Sequence, residues 1–181
     1  MINFQPITGV VNYGFSNYKV YADLDKVQAS FKEGTTQPRP TSLTKDADKL
    51  TVASYNVENF SANTSGSETP DEKAQNVARA FVQDMHNPDI VGLLEIQDNN
   101  GQAKGPDDAD ASESYARLIQ EIKKAGGPTY AYANIDPEYN QDGGAPDANI
   151  RVGFLYNPAR VSMVDGKHGT RRKRHPMKMV N

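Results

Sequence analysis

The 181-residue sequence predicts an α/β (α+β) fold, a layered arrangement in which mixed β-sheet is flanked by helices. Two apolar runs of strand length, Leu50–Val57 and Ile90–Ile96, bracket a segment whose apolar residues fall at three-and-four spacing. A second segment of helical spacing follows, and then further short β-type runs, with no internal repeat. The order strand, helix, strand, helix, strands is that of a layered α/β or α+β domain rather than an all-β or all-α one.

Ile7–Asp23 alternates Val, Tyr and Phe around turn residues at Asn12–Gly14 and Phe15–Asn17, which predicts strand, turn, strand. Two strands alone are marginal in water, so residues 1–25 are expected to form the end of a β-rich module. Residues 26–49 turn polar, with Pro38 and Pro40 around Arg39, and predict a linker before a domain over 50–165. In Leu50–Val57 the expected buried side is Leu50 and Val52, with Tyr55 as a further candidate. Thr69, Pro70 and Glu72 predict a capping box, and Ala74, Val77, Ala78, Phe81, Val82 and Met85 continue one apolar stripe until Asn87-Pro88-Asp89. Ile90–Ile96 is continuous enough to predict a strand buried on both faces. Tyr115, Leu118, Ile119 and Ile122 predict a helix ended by Gly126-Gly127. Tyr130–Asn134, Ile150–Tyr156 and Arg160–Val164 predict strands, the last two joined by a tight turn at Asn157-Pro158-Ala159.

The composition removes several classes of function. With no cysteine there is no disulfide, thiolate zinc site, iron–sulfur cluster or cysteine nucleophile, so a bound metal needs oxygen or imidazole ligands. The apolar runs fall far short of the roughly 20 residues that cross a bilayer. Met1–Val10 lacks the basic start and apolar core of a signal peptide. The net charge of −3 conceals an asymmetry. Lys167, Arg171, Arg172, Lys173, Arg174 and Lys178 all follow the last acidic residue, Asp165. Residues 166–181 therefore predict a basic tail, solvated or bound to nucleic acid, on an acidic body.

Glu95 stands out because an ionised carboxylate at the end of an apolar strand is costly without compensation. A bound Mg²⁺ would supply it, and so would water at the sheet edge or pairing with Arg151. Asn56 ends the preceding strand, where an amide can orient a carboxylate, hold a phosphate oxygen, or cap a turn with Asn59. The acidic loop Asp136–Gly143 has oxygen ligands at alternate positions before a glycine, an alternative calcium-binding or adhesive module. Counted from Glu138, however, its twelfth position is Asn149 rather than a bidentate glutamate.

Taken together, Ser54–Phe60, Asp89–Asp98 and Ile150–Val161 resemble the endonuclease/exonuclease/phosphatase superfamily, the deoxyribonuclease I-like enzymes. The likeness is nearest to bacterial extracellular or surface nucleases, in which a β-barrel-like module precedes the catalytic domain. The resemblance implies a two-layer sandwich of mixed sheets and Mg²⁺-dependent hydrolysis of phosphodiesters, with Mn²⁺ or Ca²⁺ as other cations. It implies DNA or RNA as substrate and an extracellular or cell-surface location. Other members hydrolyse other phosphoesters. Glu95 would be the metal ligand and Asn56 would position metal or phosphate, the two together forming the catalytic pair. Gln97 and Asp98 would contact or support substrate, and Arg151 would touch a phosphate. The family's Gly-Asp-Phe-Asn-like and Ser-Asp-His-like segments do not occur, and His86, His168 and His175 lie in other contexts. The chain thus corresponds to the first half of the catalytic domain, expected to be inactive alone and to expose one apolar sheet face.

Overall fold

The computed structural model describes residues 3–4, 8–32, 39–65, 68–105, 109–142 and 144–164. The basic tail, Asp107-Asp108 and Gly143 lie outside the described residues. The chain divides into two units, Met1–Arg39 and Pro40–Asn181, so the division falls inside the segment expected as a linker.

In the first unit, β1 (Asn3–Phe4) pairs antiparallel with β4 (Phe31–Lys32). Strands β2 (Gly9–Gly14) and β3 (Asn17–Ala22) form the expected hairpin, with Gly14 paired to Asn17. Its two-residue turn places Phe15 and Ser16 at φ 52° and 59°, the left-handed pair whose twist suits a hairpin. The Asn17 side-chain amide donates to the Phe15 carbonyl across that turn. Helix α1 (Leu24–Ser30) follows at once, its first amides capped by the Asp23 carboxylate. Part of the expected linker is therefore helical.

In the second unit, β5 (Val52–Phe60), β6 (Ile90–Ile96), β7 (Ala131–Asn134) and β8 (Arg151–Tyr156) form one mixed sheet in the order β5-β6-β8-β7. β5 and β6 run parallel and β8 is antiparallel to both neighbours. Parallel neighbours need a crossover, and helix α2 (Asp71–Arg79) lies in it. Helix α3 (Ser112–Lys124) packs beside α2. It stops where Gly126 takes φ 95° and the Gly127 amide returns to the Ile122 carbonyl. Val77 and Phe81, Leu118 and Ile122 from the helices, and Val57, Leu93, Ile96 and Leu155 from the sheet form the core.

Among the described residues helices cover one face of this sheet, which corrects two expectations. In β5 the core takes Ala53, Tyr55 and Val57, while Leu50 and Val52 point away and Val52 is 68% exposed. Alternation fixes the period of a strand but not its phase. Here Val57 and Phe60 decide the phase by meeting the helices. In β6, Val91 and Leu93 are buried, whereas Leu94 is on the open side with Val152 and Phe154. The strand is not buried on both faces. A second sheet stacked on the open face is not among the described residues, so the architecture they support is mixed α+β with helices on one side.

Three local expectations also change. The capping box does not form. Pro70 precedes the first turn, and Thr69 Oγ1 instead accepts from the Ser61 amide at 2.9 Å. The stripe ending at Met85 leaves α geometry, Ala80–Asp84 being π-helical, with the Met85 amide reaching the Ala80 carbonyl five residues back. Arg160–Val164 is not a strand. The Asn157 turn closes as expected, with its carbonyl accepting from both the Arg160 and Val161 amides, and no sheet pairing follows it among the described residues.

Candidate metal centre at a register shift between two parallel strands

Asn56 and Glu95 meet where the parallel pairing of β5 and β6 shifts register, Asn56 four residues before the end of β5 and Glu95 one before the end of β6. Asn56 Nδ2 donates to Glu95 Oε1 at 2.6 Å, and Asn56 Oδ1 accepts the Glu58 amide at 2.7 Å. The two bonds fix which way the amide points, because the backbone N–H requires the oxygen and the carboxylate requires the NH₂. The Asn56 oxygen is thus engaged in its own turn, so Asn56 orients Glu95 more directly than it ligates a cation. Among the described residues no hydrogen bond engages Glu95 Oε2.

Three non-glycine residues at this edge adopt left-handed backbone, Glu58 at φ 56°, Asn59 at 54° and Glu95 at 65°. The β5–β6 pairing shifts register between Asn56 and Phe60, and the β6–β8 pairing between Leu93 and Ile96. Such conformations persist only where surrounding bonds over-determine them. Gln97 Nε2 donates to Asn59 Oδ1 at 3.2 Å, and the Thr69 hydroxyl reaches the Asn59 carbonyl at 3.4 Å. The Lys73 ammonium donates to the Glu58 carbonyl.

The other expected site residues lie deeper. Gln97 and Asp98 are fully buried, and Arg151 is nearly so. Gln97 supports the Asn59 turn from below. Asp98 Oδ2 accepts from Asn149 Nδ2 at 2.6 Å, and Arg151 bonds Asp136 through Nη1 and the Asn149 carbonyl through Nη2 at 3.0 Å. These three are therefore a supporting layer beneath the strand ends. Arg151 pairs with Asp136, not with Glu95. Burial raises the Asp98 carboxyl to about 6, against the opposing hydrogen bond from Asn149 and the charge of Arg151.

A proton held more tightly in the folded than in the unfolded chain stabilises the folded state at low pH. The Asp98 contribution is therefore present below the ordinary carboxylate value and disappears as pH rises through about 6. Asp98→Asn is expected to remove this component, so that its urea midpoint changes less than that of the wild type between the two pH limits. Equal pH slopes in both proteins would contradict the assignment.

The acidic loop expected as a calcium module uses its oxygens internally. Asp136 Oδ1 takes donors from Asn134 and Arg151, Asp142 Oδ2 accepts the Glu138 amide, and Asp147 Oδ1 accepts from Tyr139 and Asn140. Among the described residues no three His, Asp or Glu side chains cluster as a metal site. A cation at Glu95 would have one carboxylate from the protein and complete its shell with water or phosphate, an arrangement that suits Mg²⁺, which dehydrates reluctantly. The donor set fits a hard cation and no soft one.

Sequence reasoning did not single out Lys73. It is the one lysine of the predicted amphipathic helix, and nothing in the spacing of that helix marks it as more than a solvated charge. No helix among the described residues is long and apolar enough to cross a membrane. No family model, curated protein or solved structure matches the chain.

Proposed function

We propose that the second unit carries the metal-carboxylate part of a phosphodiesterase of the endonuclease/exonuclease/phosphatase type, with Glu95 as the Mg²⁺ ligand and DNA or RNA as the substrate class. The observation that carries this reading is the 2.6 Å bond from Asn56 to Glu95 at the register shift in the parallel β5–β6 pairing, next to the carboxyl end of β6. A cation held there would neutralise charge developing on a phosphoryl oxygen. The chain's own contribution is to hold the carboxylate. Asn56 fixes one oxygen, the Glu58–Asn59 turn fixes Asn56, and Gln97 fixes the turn. The sequence offers no Ser-Asp-His-like segment, so no general base is assigned and hydrolysis is not expected from this pair alone. An extracellular or surface location belongs to the same reading and rests on the resemblance.

Calorimetric titration of the full chain with Mg²⁺ and Mn²⁺ tests the proposal. Wild type is expected to bind, Glu95→Gln to lose binding, and Asp142→Ala to match wild type. Binding that survives Glu95→Gln and disappears in Asp142→Ala would replace this reading with the calcium module.

A further inference from the structure

We propose that Lys73 is a positioning residue for the Glu95 carboxylate, acting through Glu58 and Asn56. The inference rests on Glu95 as the metal carboxylate and adds a residue from a different element to its control.

A cavity of about 530 Å³ lies between β5 and α2, with Asn56 and Glu58 on one wall and Lys73, Asn76 and Arg79 on the other. Lys73 is half-buried in it, and its ammonium donates to the Glu58 carbonyl. A charged donor on a carbonyl is a stronger tie than a neutral one. The carbonyl belongs to a residue at φ 56°, a backbone state that a glutamate does not hold unaided. Thr69 and Gln97 secure Asn59, the second residue of the turn, but neither reaches Glu58. Lys73 is therefore the tie that α2 provides to the first residue.

The consequence runs along a single line of bonds. Were Glu58 to relax toward negative φ while Asn59 stays held, ψ of Val57 would have to compensate, and the turning Val57–Glu58 peptide plane would carry the Glu58 N–H away from Asn56 Oδ1. The Asn56 amide would then keep its bond to Glu95 Oε1 and lose the one that anchors it to the backbone. With that anchor gone the amide and the carboxylate could move together, so Glu95 would lose its fixed rotamer. Groups that orient a metal carboxylate from behind commonly change metal affinity by about 10- to 100-fold.

The test compares wild type, Lys73→Met and Lys73→Arg as full-length ¹⁵N-labelled chains, each followed by amide exchange and by Mn²⁺ titration. In Lys73→Met the Glu58 amide is expected to exchange faster and the two Asn56 side-chain N–H resonances to move toward averaging, while α3 amides are unchanged. Mn²⁺ affinity is expected to fall by about tenfold. Lys73→Arg, which keeps a charged donor, is expected to restore all three. Wild-type exchange and resonances in Lys73→Met would overturn the relay, as would failure of Lys73→Arg to differ from Lys73→Met. The exchange measurements need no metal. A wild-type chain that takes up no Mn²⁺ removes the metal reading and leaves the relay to be judged on Glu58 and Asn56, whereas unchanged exchange with normal Mn²⁺ uptake removes the relay alone.

Discussion

Replacing Asp89 by alanine is expected to destabilise the second unit by about 3 kcal/mol, the lower end of the cost of breaking a buried ion pair. Asp89 is almost entirely buried at the start of β6, and both of its oxygens are engaged. Oδ2 accepts from the Thr51 amide at 2.7 Å and the Thr51 hydroxyl at 2.9 Å, and Oδ1 accepts from Lys45 at 2.9 Å and Arg160 Nε at 3.3 Å. Arg160 also donates to the carbonyls of Ala47, Asp46 and Lys49. One carboxylate thus ties the segment before β5, the residue that leads into β6 and the turn after β8. Lys45 and Arg160 retain some contact with water, so both cations can be partly rehydrated, which places the cost at the low end. Burial alone would raise the carboxyl. The Thr51 amide, Lys45 and the Thr51 hydroxyl outweigh burial and hold it at about 2. A depressed carboxyl stabilises above its ordinary value and loses that contribution as pH falls toward 2. Chemical unfolding at neutral pH measures the alanine cost. An acid titration of Asp89→Asn checks the second expectation, because that variant is expected to lack the wild-type loss of stability below the ordinary carboxylate range. An alanine variant as stable as wild type would show that the three segments are joined by other contacts.

Asp89 also marks the limit of what the sequence discloses. Local patterns identified the elements: the apolar stripe Ala74–Phe81, the Gly126-Gly127 stop and the Ile90–Ile96 run each have a short-range cause that the structure retains. The partners of Asp89 are 38, 44 and 71 residues away, beyond the reach of any periodicity. For the same reason Leu50 and Val52 were expected on the buried side of β5. The alternation is real, and its phase is set by helices that follow in the chain. At the candidate site Asn56 and Glu95 were legible as strand-end polar residues, and their 2.6 Å contact is what adjacency of two parallel strands adds. Gln97 and Asp98 read equally well as surface or buried groups, since a polar residue after a strand carries no local mark of its depth. The expected open apolar face is present on the side of Val52, Leu94, Val152 and Phe154, and among the described residues no second sheet stacks on it.

Gly153→Ala is expected to cost about 2 kcal/mol, within the usual range for overpacking a well-filled core, and most of that cost is expected to vanish when Tyr115 is also changed to phenylalanine. Gly153 is in the interior of β8, paired with Leu93 on one side and Asn134 on the other. A glycine in a strand interior weakens it unless another group needs the space. Here the Tyr115 hydroxyl from α3 occupies the position that a β-carbon would take. Tyr115 cannot readily withdraw, because its ring is fully buried and stacked on Tyr132, with centroids 4.3 Å apart and planes within 4°. Its hydroxyl has no hydrogen-bond partner among the described residues. Tyr115→Phe alone is therefore expected to be near neutral, since no hydrogen bond is lost and an unpaired buried hydroxyl is removed. The double variant removes the group that collides first. The ring carbon that bore it remains 2.9 Å from the new β-carbon, so recovery is expected to be large but incomplete. Urea unfolding of the four proteins closes the cycle, and additive costs would mean that the strand itself, not the tyrosine, demands glycine. The result bears on the candidate site because Gly153 sits opposite Leu93, two residues before Glu95. A sheet forced to yield at β8 would move β6 and with it the carboxylate, so the Gly153→Ala chain is also expected to bind Mn²⁺ more weakly, and Tyr115→Phe to restore that binding together with the stability.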